Sequence, residues 1–285
     1  MITNRYPHGN FSTEDIQALT PTMKVGILGT VNPQGLPHLT MISTLMAGSA
    51  TQVVWGQFME GHSKEHVRAN PKTGFLIMTL DKNVWRGNAL FSHTTREGKD
   101  YDFYNNSPLF RYNAYFGVHT VYNMDLVAHS GRHPLPMNRI IFAAVQTMLA
   151  RSIPRRKLPE QVFNLWTRAF LNKLDNLKFL GVVGTDGFPV IIPLIQAQTL
   201  DSQHVVFSFG AFGDELAEIP SSTPAALFGM ALSMEDVLVR GEYLGVQRIA
   251  GVKCGMIRVN WVYNSMPPKP MQIYPELELE PVRQF

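Results

Sequence analysis

The chain has 285 residues, 45% of them hydrophobic and 16% charged, which is enough apolar material for a sizeable buried core. Twenty-five basic against twenty-two acidic side chains leave a net charge of +3, too balanced and too dispersed for a nucleic-acid surface. No run of eighteen apolar residues is present to span a membrane, Met1 to His8 lacks the apolar stretch of a secretory signal, and Cys254 as the sole cysteine excludes an intrachain disulfide, so a reducing cytoplasm is the expected compartment.

In chain order, Ser12-Thr-Glu-Asp-Ile16 opens with good capping residues and predicts a short N-terminal helix. Short segments rich in β-branched and aromatic residues then predict strands at Val25–Thr30, Thr40–Leu45, Val53–Gln57, Phe75–Leu80, Val84–Leu90 and Val118–Val127. Asn32-Pro33-Gln34-Gly35 is a turn between the first two. Ser63–Ala69 predicts one or two helical turns ended by Asn70-Pro71. Asn138–Arg151 and Pro159–Leu174 predict a helical connector, broken at Pro154 and with Pro159 in a first turn. Phe163, Trp166, Phe170 and Leu174 put an apolar stripe on the second connector helix, read as core contact.

The chain also repeats itself. Met23-Lys-Val-Gly-Ile-Leu-Gly-Thr30 matches Lys178-Phe-Leu-Gly-Val-Val-Gly-Thr185, with Gly26 on Gly181 at an offset of 155. Gly35-Leu-Pro37 matches Gly187-Phe-Pro189 at 152, and that offset runs on to Val53-Val-Trp55 against Val205-Val-Phe207. Trp85-Arg-Gly87 matches Val239-Arg-Gly241 at 154, and Gly117-Val118 matches Gly251-Val252 at 134, in register to Pro134-x-Pro136-Met137 against Pro268-x-Pro270-Met271. The last change of offset locates about twenty extra residues in the first copy, around Ser92 to Phe116. This insertion holds Tyr101, Phe103, Tyr104, Phe110, Tyr112, Tyr115 and Phe116, and reads equally as a lid over a planar ligand or as a packed loop closing the barrel end.

A strand, a Gly-x-Pro turn, a strand, an apolar Val-Val-Trp strand, Gly61-His-Ser63-Lys64, a short helix ending in Asn70-Pro71 and a strand pair through Trp85-Arg-Gly87 follow one another in this order. The pattern resembles the FMN-binding split barrel of the pyridoxamine 5′-phosphate oxidase-like superfamily, well over about residues 20–130 and as a degraded copy over about 178–271. The expected fold is mainly β with accessory helices: two tandem split β-barrels, antiparallel and Greek-key-like, forming a pseudo-dimer within the chain. The expected divisions are a first barrel at 1–137, a helical connector at 138–177 and a degenerate second barrel at 178–285.

The resemblance implies that the strand holding Met41, Ile42, Ser43 and Thr44 lies along the flavin ring, with Trp55, Gly56 and Gln57 lining the groove. It also implies that Ser63 and Lys64 hold the FMN phosphate. Chemistry supports that last role independently, because a helix N-terminus offers unpaired N–H groups and a positive dipole end, to which a hydroxyl and an ammonium add a hydrogen bond and a charge. At an offset of 152, Ser63 and Lys64 fall on Glu215 and Leu216, next to Asp214, and Ser43 and Thr44 on Ile195 and Gln196. Carboxylates there repel a phosphate, so the second copy is expected to be silent and to wall the first copy's flavin, with Trp261 and Tyr263 as candidates.

Several other patterns compete for attention. His62-Ser-Lys-Glu65-His66 matches an inverted zinc-protease motif, but its helix is short and no third ligand follows, so no metal is expected. Gly181-x-x-Gly184-x-x-Gly187 lacks the long helix of a dinucleotide loop. Cys254 reads as a buried small hydrophobe, and His119, His129 and His133 have no ligand spacing. The functional expectation is an FMN-dependent oxidoreductase with a small-molecule substrate or electron donor, no nucleic-acid or membrane partner and a homodimer as an option, and with no residue singled out as acid or base. Alternatives are a carrier of flavin, haem or deazaflavin, the last drawing on Arg86, Arg96, Lys99 and Arg111, and a cofactor-free module.

Overall fold

The computed structural model describes residues 6–58, 61–108, 117–152, 158–265 and 270–278. Within the chain two compact units form, one from the residues up to Leu135 together with Gly184–Ile191, the other from Pro136–Val183 together with Ile192 onward. Each is built on its own antiparallel sheet of eight strands.

The first copy runs α1 (Thr13–Leu19), β1 (Lys24–Val31), β2 (Pro37–Met41), β3 (Met46–Ser49), β4 (Gln52–Gln57), α2 (His62–Ala69), β5 (Lys72–Thr79), β6 (Asn83–Thr95), α3 (Lys99–Asn106), β7 (Thr120–His129) and β8 (His133–Pro134). α1 starts where expected, on a reciprocal capping box between Ser12 and Asp15. The strands pair in the order β2-β1-β5-β6-β7-β4-β3, with β8 beside β6. β2 and β3 stand at opposite ends of that path, yet only residues 42–45 join them. The five steps from Met41 to Met46 reach at most about 18 Å, so the sheet curls to bring its two ends together as a barrel. Inside lie Leu28, Trp55, Val67, Phe75, Ile77, Trp85 and Tyr122. Asn88 donates to the Pro189 carbonyl at 3.1 Å, and a Cβ on Gly74 would stand 2.3 Å from that oxygen, so only glycine admits this approach.

The second copy continues with α4 (Met137–Arg151), α5 (Leu165–Asn172), β9 (Leu177–Val183), β10 (Pro189–Pro193), β11 (Gln198–Thr199), β12 (His204–Ser208), α6 (Gly213–Ala217), β13 (Thr223–Met230), β14 (Asp236–Ile249), β15 (Val252–Asn264) and β16 (Met271–Tyr274). Its strand order, β10-β9-β13-β14-β15-β12-β11, repeats the first copy strand for strand. α5 begins later than the expected Pro159, at Leu165, because Asn164 caps the Thr167 N–H at 2.8 Å. Of the stripe expected to make core contact, Phe163 and Phe170 are buried, while Trp166 and Leu174 are exposed.

Strand pairing corrects the alignment of the copies. Val25 faces Met78 as Leu177 faces Met230, and Met78 faces Val84 as Met230 faces Asp236. The turn bond from Gly35 to Asn32 recurs from Gly187 to Gly184. One offset, 152, therefore holds without a gap from β1 through β6. The counterpart of Gly181 is Gly29 rather than Gly26, and Trp85-Arg-Gly87 corresponds to Val237-Leu-Val239. In the last strands Met124 and Ile257 occupy the same register position, so the offset there is 133 rather than 134, and the first copy carries nineteen extra residues. Even the β-bulge recurs, skipping Val127 in one copy and Asn260 in the other. Past the last strands the copies diverge: β8 pairs with β6, β16 pairs with β15, and Pro268 lies outside the described residues.

Candidate functional site

α2 packs on β1 and β2 and carries the candidate residues Ser63 and Lys64. Its N-cap is Gly61, and the Lys64 N–H donates to the Gly61 carbonyl at 3.2 Å. The first turn lies at the positive end of the helix dipole. The helix stops at Asn70, which is extended as a residue before proline must be. Val67 anchors the helix in the barrel core.

Ser63 and Lys64, both in the first turn, are 2% and 9% exposed. The Ser63 hydroxyl lies 2.7 Å from that of Thr40 on β2. The Lys64 ammonium folds back over the start of its own helix, 3.5 Å from where a Cβ on Gly61 would stand. Around them His38 meets His66 edge-on at 5.0 Å and His62 at 5.9 Å, and His66 Nδ1 is 3.1 Å from the Thr30 hydroxyl. Thr30 and His38 are cross-strand partners, as are Leu28 and Thr40, which explains why alternate residues of β2 face α2. The H-x-x-E-H histidines therefore sit in a ring cluster, and among the described residues no group of three histidine, cysteine, aspartate or glutamate side chains is placed to hold a metal ion.

The remaining candidates separate. The strand expected at Thr40–Leu45 instead runs from Pro37 to Met41, because the Ile42 N–H turns in to the Gly26 carbonyl at 2.7 Å and Ser43-Thr44 forms a turn. Met41 and Ser43 are partly exposed and Ile42 is buried. The Thr44 hydroxyl is spent on the Gly56 backbone, donating to its carbonyl and accepting from its N–H, each at 3.0 Å. Gly56 has no free face, since a Cβ there would stand 2.7 Å from Val118. Trp55 does not line a groove: it is fully buried in the core, its ring stacked on Tyr122 at 4.0 Å. Gln57 accepts the Tyr122 hydroxyl at 3.2 Å, and that hydroxyl accepts from Arg68 of α2 at 3.1 Å.

The described half of the aromatic insertion is the helix α3, packed on β4 and β7. Tyr104 is fully buried and donates to the Thr44 carbonyl at 2.7 Å; burial, with Asp100 beside it, pushes its hydroxyl pKa well above the ordinary value. Asn105 clamps Val118 through both its N–H and its carbonyl. This half packs on the outer face of the sheet, where Tyr104 meets Met46, Val54, Val118 and Val121, while Phe110, Arg111, Tyr112, Tyr115 and Phe116 lie outside the described residues. A surface depression of about 450 Å³ between Thr20–Thr22 and the end of α3 contains none of the candidates.

In the second copy, the 152 offset on both sides of the helix fixes Glu215 and Leu216 opposite Ser63 and Lys64. Gln196, opposite Thr44, keeps the same tether by donating to the Ser208 carbonyl at 3.3 Å. The backbone tether is thus retained in the second copy, where Ser63 and Lys64 are replaced. Tyr263 is 4% exposed and stacks at 5.2 Å on Trp261, over which the Arg240 guanidinium lies at 3.7 Å. Thr40, His38 and Arg68 went unnoticed in the sequence, although period-two alternation along β2 places the first two on the helix-facing side.

No protein-family model and no curated protein matches the chain. Among solved structures, an FMN-binding protein from Syntrophomonas wolfei is similar at 15% identity and a TM-score of 0.36, over 43% of this chain and 86% of its own. An F420 reductase is similar at 14% identity and a TM-score of 0.32, over 42% and 98%. The styrene monooxygenase flavin reductase of Pseudomonas putida S12 is similar at 12% identity and a TM-score of 0.27, over 40% and 92%.

Proposed function

We propose that the first copy binds FMN, with its phosphate at the start of α2, and that the protein is a flavin-dependent oxidoreductase acting on a small molecule. One observation carries this reading. Ser63 and Lys64, both nearly buried residues, bring a hydroxyl and an ammonium to the positive end of α2, with Lys64 Nζ beside Gly61 and the Thr40 hydroxyl 2.7 Å from that of Ser63. A phosphate monoester fits this donor set: Ser63 and Thr40 supply hydroxyls, Lys64 the counter-charge, and the first turn its N–H groups.

When bound, the flavin would supply hydride and electron transfer. The chain's part is to orient it. Thr44 is tied to Gly56 and Tyr104 and Ile42 is buried in the core, so this stretch offers the ring edge chiefly Ser43, with Met41 beside it. Trp55 serves from behind by holding Tyr122, which in turn sets Gln57 and Arg68. A single site per chain follows, because Glu215 would repel a phosphate in the second copy.

The test is a fluorescence titration of the purified protein with FMN and with riboflavin, repeated for Lys64→Ala. FMN is expected to bind tighter than riboflavin, and Lys64→Ala to erase most of that preference. Equal affinity for the two ligands, or a preference that survives the substitution, would overturn the phosphate seat.

A further inference from the structure

We propose that Arg240 of the second copy, held flat on Trp261, is a binding seat for the carboxylate or phosphate group of a small molecule. Arg240 and Trp261 are cross-strand partners on β14 and β15, beside the β-bulge at Asn260. Period-two alternation puts Tyr263 on the same face of the sheet. The guanidinium carbon stands 3.7 Å from the centre of the indole, which is contact distance, and the indole stacks on Tyr263 at 5.2 Å with the planes 12° apart. Trp261 is fixed in turn by its Nε1, which donates to Gln272 on β16 at 2.8 Å. A guanidinium stacked on a ring has its plane set while the N–H groups along its edge remain available.

The surroundings of Arg240 select an anion. The residue is half-buried, and burial lowers its pKa to about 10 with no carboxylate pulling the other way. Glu242, two residues further along β14, is paired with Arg258 instead. Nε is shut off from solvent without an acceptor, whereas the two terminal nitrogens stay open. A cation left in this state carries a desolvation cost that no partner among the described residues offsets. Two coplanar oxygens, as a carboxylate or a phosphate presents them, match the open edge with two parallel hydrogen bonds.

The duplication shows that the scaffold does not require this stack. Strand pairing places Arg240 on Asn88, Trp261 on Ala128 and Tyr263 on Ser130 of the first copy. There Asn88 donates to the Pro189 carbonyl and the Ser130 hydroxyl accepts the Arg86 N–H, both of them bonds to backbone. The second copy has a cation and two rings at these positions, and the same barrel forms around them.

The experiment follows the indole N–H signals of the four tryptophans by NMR, in isotope-labelled full chain, while acetate or inorganic phosphate is added. Trp261→Phe assigns the Trp261 signal. That signal is expected to move saturably, with a midpoint of about 1 to 10 mM, the range two charge-assisted hydrogen bonds at an open site give. Saturation by acetate alone identifies a carboxylate ligand, and by phosphate alone a phosphate ester. Arg240→Gln should abolish the movement, and Arg240→Lys should raise the midpoint about tenfold, because an ammonium lacks the fork. Unmoved signals from the other three tryptophans report that a variant is folded, and Arg240→Lys carries the test if Arg240→Gln is not. Lys64→Ala should leave the midpoint unchanged. A Trp261 signal that does not saturate below about 100 mM, or that moves equally with chloride, overturns the proposal. So does a response undiminished in the Arg240 variants, or one lost in Lys64→Ala, which would assign the anion to α2.

Discussion

Thr40 and Ser63, twenty-three residues apart, place their hydroxyl oxygens 2.7 Å from each other across the gap between β2 and the first turn of α2. Each hydroxyl has one proton and two lone pairs, so the pair can satisfy itself and still give one donor to an anion. Either Ser63→Ala or Thr40→Val should weaken FMN binding by about tenfold, the lower range of a hydrogen bond to a charged group. The double variant should lose less than the product of the two, because one proton is shared. Single losses under about twofold would remove the pair from the seat.

Flavin content distinguishes the copies. The purified protein should carry at most one FMN per chain, and Glu215→Ala should leave that number unchanged, since removing one carboxylate supplies neither hydroxyl nor ammonium opposite Ser63 and Lys64. Absorbance of released flavin against protein concentration measures it. Two flavins per chain would mean that the second helix is not silent.

Much of this was legible in the sequence, and the misses share a cause. Turn chemistry placed Asn32–Gly35 and Asn70-Pro71, and capping placed α1. The duplication was visible, but short β patterns match nearly as well when slipped by two or three residues. By sequence Gly26 matches Gly181, and only pairing with β5 and β13 moves the match to Gly29. Trp55 illustrates the limit for sites: neighbours in sequence alternate between faces, so Trp55 enters the core while Gly56 faces Val118. The position of Ser63 and Lys64 in a first helical turn was readable because a helix start needs no long-range information; the contact of Thr40 with Ser63 was not, because it arises through strand pairing.

Cys254 on β15 is fully buried against Val206 and Leu200, and burial pushes its thiol pKa up to about 11. Thiolate is the reactive form, so a disulfide reagent at pH 8 should label the native chain hardly at all and one thiol per chain in denaturant. Fast labelling of the native protein would show that β12 and β15 separate in solution.

His129 fastens the N-terminal segment to the barrel and should make the first copy acid-sensitive. Its Nδ1 accepts from the Gly131 N–H at 3.1 Å, which puts the proton on Nε2, donating to the Asn10 carbonyl at 2.9 Å. Protonating Nδ1 would break the first bond. Burial, with His8 nearby, lowers its pKa below 6.5, against smaller upward pulls from the Asn10 carbonyl and the Asp15 carboxylate. A folded-state pKa below the unfolded one means that the unfolded chain takes up the proton first. The contribution of neutral His129 is then fully present above pH 6.5 and is lost as the pH falls through the folded value. Urea midpoints followed by tryptophan fluorescence should drop between pH 7 and 5 in the parent, and drop less steeply in His129→Gln, which starts lower at pH 7. Parallel slopes in the two proteins would assign the acid sensitivity to other groups.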